Sequence, residues 1–383
     1  MVFQSFSPPR RLLMGPGPTM VHERILQASA RPTIGHLDSA FVGLMDEIKQ
    51  LLQYTFQTSN SMTMPISAPG SAGMEACFVN LVEPGDQVIV CINGVFGHRM
   101  KENVERCGAK AIVVEDGWGS PVSLDKVRQA FINNPDASIL AFVHAETSTG
   151  VLSDAKGLAQ IAHDHGALVI VDAVTSLGGV PIRVDEWSLD AVYSGSQKCL
   201  SCFPGLSPVT FGEAALERIK NRKKKVQSWF LDLNLVMGYW SGEGKSAGRS
   251  YHHTAPVNSL YALHESLVML HEEGIENTWS RHHANHKELA AGLEKLGLTL
   301  LVKETHRLPQ LNAVNIPDGL IDGEIRALLL RDFELEIGGG LGDLAGKIWR
   351  IGLMGETCRS QNVNTCLNAL GKVLGSESVT KVA

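Results

Sequence analysis

Apolar residues gather along this chain in short runs, separated by longer stretches in which apolar positions recur with helical spacing. The runs at 63–67, 87–92, 109–114, 138–143, 167–172, 191–193 and 208–211 predict strands. Their near-continuous apolar character, without polar alternation, indicates burial on both faces. The segments between them, among them 38–54 and 74–82, predict helices. Strand and helix in alternation implies crossover connections, so the expected fold class is α/β: a large domain around a mostly parallel sheet of the seven-stranded type. After Pro256 one long helical stretch is expected to run through 276–296. It leads into a segment of different character, with strands near 298–302 and 313–316 and helices near 323–330 and 361–370. This gives three units: an arm over 1–20, where Gly15-Pro16-Gly17-Pro18 cannot sustain a helix; a large domain over 21–274; and a smaller C-terminal α+β domain over 275–383.

Composition narrows the classes. A chain of 383 residues exceeds what one core usually covers, which fits two domains. The formal charge of −6 leaves no electrostatic footprint for nucleic acid or an anionic membrane. No apolar stretch approaches the roughly 20 residues that a membrane-spanning helix needs, and the opening Met1 to Ser7 lacks the layout of a signal peptide. The seven cysteines show no small disulfide framework, which points to a reducing, cytoplasmic setting. The terminal Lys381-Val382-Ala383 is not a peroxisomal signal of the Ser-Lys-Leu type.

Chemistry concentrates at two positions. Asp172 closes the apolar run 167–172, so its carboxylate emerges at the carboxyl end of a central strand, where open α/β sheets bind ligands. Lys198 follows one strand later in Tyr193-Ser194-Gly195-Ser196-Gln197-Lys198, where small residues let the backbone approach a bound group. A buried acid can hold a heteroaromatic nitrogen protonated, and a desolvated lysine can bond to an aldehyde carbon. Pyridoxal phosphate needs one group at each end of its ring. A cradle for its phosphate is available in Ala68-Pro69-Gly70-Ser71-Ala72-Gly73, just ahead of a helix, where free amides and the helix dipole favour an anion. Phe96 follows a strand end and has the shape to stack on a flat ring, although on its own it reads as core packing. Arg350, the one cation in Ile348-Trp349-Arg350-Ile351-Gly352, presents a planar fork that matches a carboxylate.

Other motifs carry less. Cys199-Leu200-Ser201-Cys202 has no second pair to complete a zinc site, and the adjacent His252 and His253 are expected to diverge, so no metal site is assigned. Gly242-Glu243-Gly244-Lys245-Ser246 lacks the upstream glycine of a nucleotide-binding loop, since Tyr239 occupies that place. Gly338-Gly339-Gly340-Leu341-Gly342 reads as a tight turn, and Arg222-Lys223-Lys224-Lys225 as a solvated face.

Several stretches together resemble the class V (fold type I) pyridoxal-phosphate-dependent aminotransferases, the alanine–glyoxylate and serine–glyoxylate kind in particular. They are Leu13-Met14-Gly15-Pro16-Gly17-Pro18, Glu83-Pro84-Gly85-Asp86, Glu146-Thr147-Ser148-Thr149-Gly150, Val171-Asp172-Ala173-Val174, Ser176-Leu177-Gly178-Gly179, Tyr193 through Lys198, Tyr251-His252-His253-Thr254 and Arg350-Ile351-Gly352-Leu353. The resemblance implies ping-pong transfer of an amino group from a small amino acid, L-alanine favoured, to glyoxylate. Serine–glyoxylate, serine–pyruvate or ureidoglycine–glyoxylate transfer is the alternative, and a lyase, a desulfurase or a non-catalytic binding protein a more distant one. It further implies that Lys198 bonds the cofactor, Asp172 pairs with its ring nitrogen and Arg350 takes the substrate carboxylate. Gly70, Ser71, Ala72 and Gln197 would surround the phosphate, with Phe96, Thr147 and Val174 around the ring. Tyr251 and Thr254 would reach the phosphate of a neighbouring subunit, so a homodimer with shared active sites is expected. Phe96 stands where animal relatives place tryptophan, and Ala72 where they place histidine. Neither change removes a reacting group.

Overall fold

The computed structural model describes residues 3–240 and 249–375; the 242–246 stretch and the terminal 381–383 lie outside the described residues. Seven strands form the main sheet: β1 (Met62–Ile66), β2 (Gln87–Ile92), β3 (Lys110–Glu115), β4 (Ala137–Val143), β5 (Leu168–Asp172), β6 (Ala191–Tyr193) and β7 (Ser207–Phe211). Their order is β1-β7-β6-β5-β4-β2-β3. Only β7 runs antiparallel to its neighbours. The six parallel strands therefore end on one rim of the sheet, where loops from separated parts of the chain meet. Every residue of β1, β6 and β7 is buried, as expected of strands covered on both faces.

Local signals place the helices. Helix α1 (Ser39–Phe56) starts where the Asp38 side chain accepts a hydrogen bond from the Ala40 amide and so caps the first turn. Helix α2 begins at Gly70 and runs to Leu81, earlier than the expected start near 74. The stretch that reads as a glycine turn is thus the first turn of the helix, and its cradle consists of helix N-terminal amides. Helix α3 (Val95–Arg106) follows β2 directly.

Three expectations change beyond the large sheet. The long helical stretch is two helices, α4 (Val257–Glu273) and α5 (Ile275–Lys295), separated by Gly274 at φ 85°. Glycine supplies that left-handed backbone at little steric cost, and helical periodicity passes across it unmarked. The strand expected near 298–302 reduces to a single bridge between Leu300 and Val314. A three-stranded antiparallel sheet forms instead from β8 (Leu311–Asn315), β9 (Gly338–Gly339) and β10 (Ile348–Gly352), in the order β8-β10-β9. The glycines read as a turn are therefore partly an edge strand, with Gly338 opposite Arg350.

Apolar packing falls into two main clusters. One runs from Ile25 to Ile275 and encloses the seven-stranded sheet; the other joins Leu289, Val314, Trp349 and Leu370 around the small sheet and includes Met14 from the arm. The arm ties the two together. Leu12–Leu13 pairs in parallel with Leu335–Glu336, Gly352 donates its amide to Met14 O at 2.7 Å, and Thr19 donates its own to Gln197 O at 3.2 Å.

Candidate active site

Five parallel strands deliver the candidate residues to the common rim. Asp172 is the last residue of β5, and Lys198 follows β6. Thr147 lies beyond β4, Phe96 opens α3 after β2, and Gly70 opens α2 after β1. The rim is the carboxyl edge of the sheet, the expected ligand position in an open α/β fold.

Asp172 is 4 % exposed. Its Oδ1 accepts from the Val174 amide at 2.8 Å, and its Oδ2 accepts from the Tyr193 hydroxyl at 2.8 Å. Burial pushes the carboxyl up to about 6, against the pull of those two donors and of the Lys198 and Arg99 charges. It is a carboxylate at neutral pH with a strong preference for a cationic partner.

Lys198 is 9 % exposed, and its Nζ donates to Pro16 O of the arm. Gly17, at φ 101°, packs so closely that a Cβ there would lie 2.7 Å from Nζ. Burial and the Arg350 charge lower the amine to about 8, partly offset by Cys199 and Asp172. The Lys198 turn is pinned to the small-sheet unit. Ser201 donates its amide to Lys198 O at 2.9 Å, and its Oγ accepts from the Glu356 amide at 2.7 Å.

This pKa has a measurable consequence. With the amine at about 8, roughly a tenth is neutral at pH 7, against fewer than about one in a thousand for an ordinary lysine. Only the neutral amine attacks an aldehyde. Capture of added pyridoxal phosphate by cofactor-free protein, followed by stopped-flow absorbance, should therefore quicken from pH 6 to 8 and level off above. A rate that keeps climbing to pH 10 would show that the lysine is unperturbed.

Arg350 is 6 % exposed on β10. Its Nε donates to Gly339 O at 2.7 Å and its Nη1 to Thr147 O at 3.2 Å. Among the described residues no carboxylate lies within ion-pair distance of it, whereas most other arginines in the structure have one. Burial lowers its guanidinium to about 10, with Glu146 as the opposing influence. A buried fork without a carboxylate is a ready receptor for one.

The remaining candidates divide. A Cβ on Gly70 would stand 3.4 Å from both Ser194 O and a Val174 methyl, so the phosphate cradle packs directly against the Asp172 and Lys198 segments. Gln197 lies in the same cluster, and its buried Oε1 has no hydrogen-bond partner among the described residues. Thr147 Oγ1 meets Thr175 Oγ1 at 2.5 Å. Phe96 is half-buried with the Arg99 guanidinium 4.8 Å from its ring centroid. Tyr251 and Thr254 stand apart: Tyr251 is 62 % exposed beside His36, and Thr254 is exposed too. The adjacent histidines do not diverge as expected. Their Nδ1 atoms meet at 2.8 Å, because Trp229 stacks on the His252 ring and Ser67 bonds the His253 Nε2. No described cluster of His, Cys, Asp or Glu could hold a metal ion.

Three contributors escaped the sequence reading. Tyr193 was legible as part of a motif, but its bond to Asp172 depends on their being opposite partners on β5 and β6. Glu146 is fully buried; its Oε1 accepts from Ser148, its Oε2 has no hydrogen-bond partner among the described residues, and burial pushes it up to about 7. Pro16 is remote in sequence, and nothing local ties its carbonyl to Lys198.

The donor set suits pyridoxal phosphate: helix N-terminal amides for the phosphate, a buried carboxylate for the ring nitrogen and a depressed amine for the aldehyde. The family model "Aminotransferase class-V" matches residues 20–343. An alanine–glyoxylate aminotransferase from Rattus norvegicus is 40% identical over 367 residues, covering 96% of this chain and 88% of its own. An (S)-ureidoglycine–glyoxylate transaminase from Bacillus subtilis (strain 168) is 38% identical over 385 residues, covering 96% and 91%. The crystal structure of an alanine–glyoxylate aminotransferase from Nostoc sp. superposes with a TM-score of 0.95 at 45% identity, covering 98% of each chain.

Proposed function

The chain belongs to the class-V aminotransferase family, and from that premise we propose that it carries an amino group from a small amino acid, L-alanine in first place, to glyoxylate. As a member it is a transaminase dependent on pyridoxal phosphate. When bound, that cofactor supplies an aldehyde carbon that takes up the amino group and a protonated ring that draws electrons from the substrate's α-carbon.

Each site residue has a part in this reading. Lys198 bonds the cofactor between turnovers; once displaced, its Nζ accepts the proton of the substrate α-carbon and later returns one. Asp172 keeps the ring nitrogen protonated. Gly70, Ser71 and Ala72, at the start of α2, and Gln197 hold the phosphate, while Phe96, Thr147 and Val174 border the ring. Arg350 takes the carboxylate of each substrate in turn, so donor and acceptor use one site alternately and the kinetics are ping-pong.

The observation that carries the substrate reading is Arg350, a buried guanidinium held by two carbonyls with no carboxylate partner among the described residues. One buried fork answers one carboxylate, and alanine and glyoxylate each have one. The similarity to the Bacillus ureidoglycine–glyoxylate transaminase favours a second reading, with the same acceptor and a ureido-bearing donor. Sulfur-transfer chemistry has less support: Cys358 is fully buried, and burial pushes its thiol up to about 12.

The reading extends to a homodimer in which Tyr251 and Thr254 complete the partner's phosphate site. Support comes from their exposure and from the exposed apolar side chains Leu37 and Trp229. A cytoplasmic setting accords with seven free cysteines; no described helix is long and apolar enough to cross a membrane. An arm over 1–20, a large domain over 21–274 and a small one over 275–383 accord with the two apolar clusters and the break at Gly274.

Adding single amino acids to the cofactor-loaded protein tests the donor. Alanine should bleach the visible absorbance of the bound cofactor fastest, and glyoxylate should restore it fastest among 2-oxo acids. Faster bleaching by (S)-ureidoglycine would transfer the assignment to the second reading.

A further inference from the structure

Tyr193 has no role in the reaction as described so far, yet it makes the one side-chain hydrogen bond to Asp172 among the described residues. We propose that Tyr193 is a positioning residue: its hydroxyl, donated to Asp172 Oδ2, keeps that carboxylate ionised and aimed so that the cofactor's ring nitrogen retains its proton. The proposal rests on the assignment of Asp172 to the ring nitrogen.

The geometry is fixed from both sides. Asp172 and Tyr193 are directly opposite on parallel β5 and β6, which sets the phenol beside the carboxylate. Tyr193 is 1 % exposed and lies beneath the first turn of α2. There a Cβ on Gly73 would stand 3.3 Å from the Tyr193 Cβ and 1.9 Å from Ser207 Oγ, so the glycine permits the helix to press on this side chain. A ring so enclosed has little freedom to turn its hydroxyl elsewhere.

The chemistry has a definite direction. Burial and the adjacent Asp172 raise the phenol's ionisation well above its ordinary value, so the hydroxyl is a proton donor throughout the working pH range. Around this pair, Lys198 and Arg99 favour the Asp172 anion, while Glu146 and Cys77 press against further negative charge on the phenol. Removing the hydroxyl leaves the carboxylate with a single donor, the Val174 amide, in a buried setting. A buried carboxylate that loses a donor becomes more basic. Asp172 would then compete for the proton it is placed to leave on the ring.

The test compares two ligands binding to cofactor-free protein: pyridoxal phosphate, and a carbocyclic analogue in which C–H replaces the ring nitrogen. The wild type should prefer pyridoxal phosphate. In Tyr193→Phe that preference should fall by about ten- to hundredfold, with kcat falling alongside and KM for both substrates changing less than about twofold. Substituting 3-fluorotyrosine at position 193 keeps the shape, strengthens the donor and should raise the preference, which covers the case of a poorly folding Phe variant. An unchanged preference in both variants would overturn the proposal. Asp172→Asn separates the two levels: if it erases the preference while the Tyr193 variants do not, the role of Tyr193 fails alone; if it too leaves the preference intact, the assignment of Asp172 fails as well.

Discussion

Lys198→Ala should lower kcat by at least about 10⁴-fold and eliminate the visible absorbance of covalently held cofactor, while leaving the fold intact. The expected loss is this large because one side chain has two tasks: it bonds the cofactor between turnovers and moves the proton during them. Both need the amine neutral near pH 7, which burial and the Arg350 charge arrange by lowering it to about 8. Stability should change little. The substitution removes the donor to Pro16 O and some packing against Gly17, but it also relieves the chain of an amine that burial disfavours. Thermal melting, visible absorbance and steady-state rates check the three statements separately. A variant that retains more than a few per cent of wild-type turnover would remove Lys198 from the chemistry.

Substituting Arg350 should have the second-largest effect, on recognition and not on cofactor attachment. Truncating one partner of a buried charge-assisted pair costs about 2–5 kcal/mol, so kcat/KM for both substrates should fall by roughly 10²- to 10³-fold in Arg350→Met. Lysine should rescue little of this, since an ammonium cannot reproduce the planar fork, nor give a carboxylate two parallel hydrogen bonds while also holding Gly339 O and Thr147 O. Capture of pyridoxal phosphate should remain near normal. The melting temperature of the Met variant should stay level or rise, because a buried cation without a carboxylate partner is itself destabilising. A marked drop in melting temperature with unchanged kcat/KM would make Arg350 a structural residue.

The pattern of residues made the sheet legible because buried parallel strands are short apolar runs bounded by polar helices, and such runs do not depend on their neighbours to be seen. β2 and β6 coincide with their expected spans. What periodicity could not mark was a break inside otherwise helical sequence: Gly274 ends one helix and starts another through a single φ, leaving the apolar spacing on both sides undisturbed. The start of α2 was misplaced for the opposite reason. Gly70, Ser71 and Gly73 are poor helix formers, yet tertiary packing against Val174, Tyr193 and Ser207 favours them there.

The candidate site shows the same division. Lys198, Asp172 and Arg350 were visible as charges in apolar or glycine-rich settings, since a charge in such a place needs a reason. Tyr193, Glu146 and Pro16 were not visible as partners. A tyrosine at the end of a strand and a carbonyl in a proline-rich arm become meaningful only through strand register and through an arm that reaches across both apolar clusters. The arm nevertheless carried a local hint: Gly17 takes the left-handed backbone that a glycine between two prolines allows.

The most direct test of the central claim, that Lys198 is the residue that bonds pyridoxal phosphate at the rim beside Asp172, is chemical. Cofactor-loaded protein would be reduced with borohydride, digested and mapped by mass spectrometry. The account predicts that the pyridoxyl group is found on the peptide containing Lys198 and on no other lysine. A label on a different lysine, or bound cofactor with no labelled lysine at all, would contradict it.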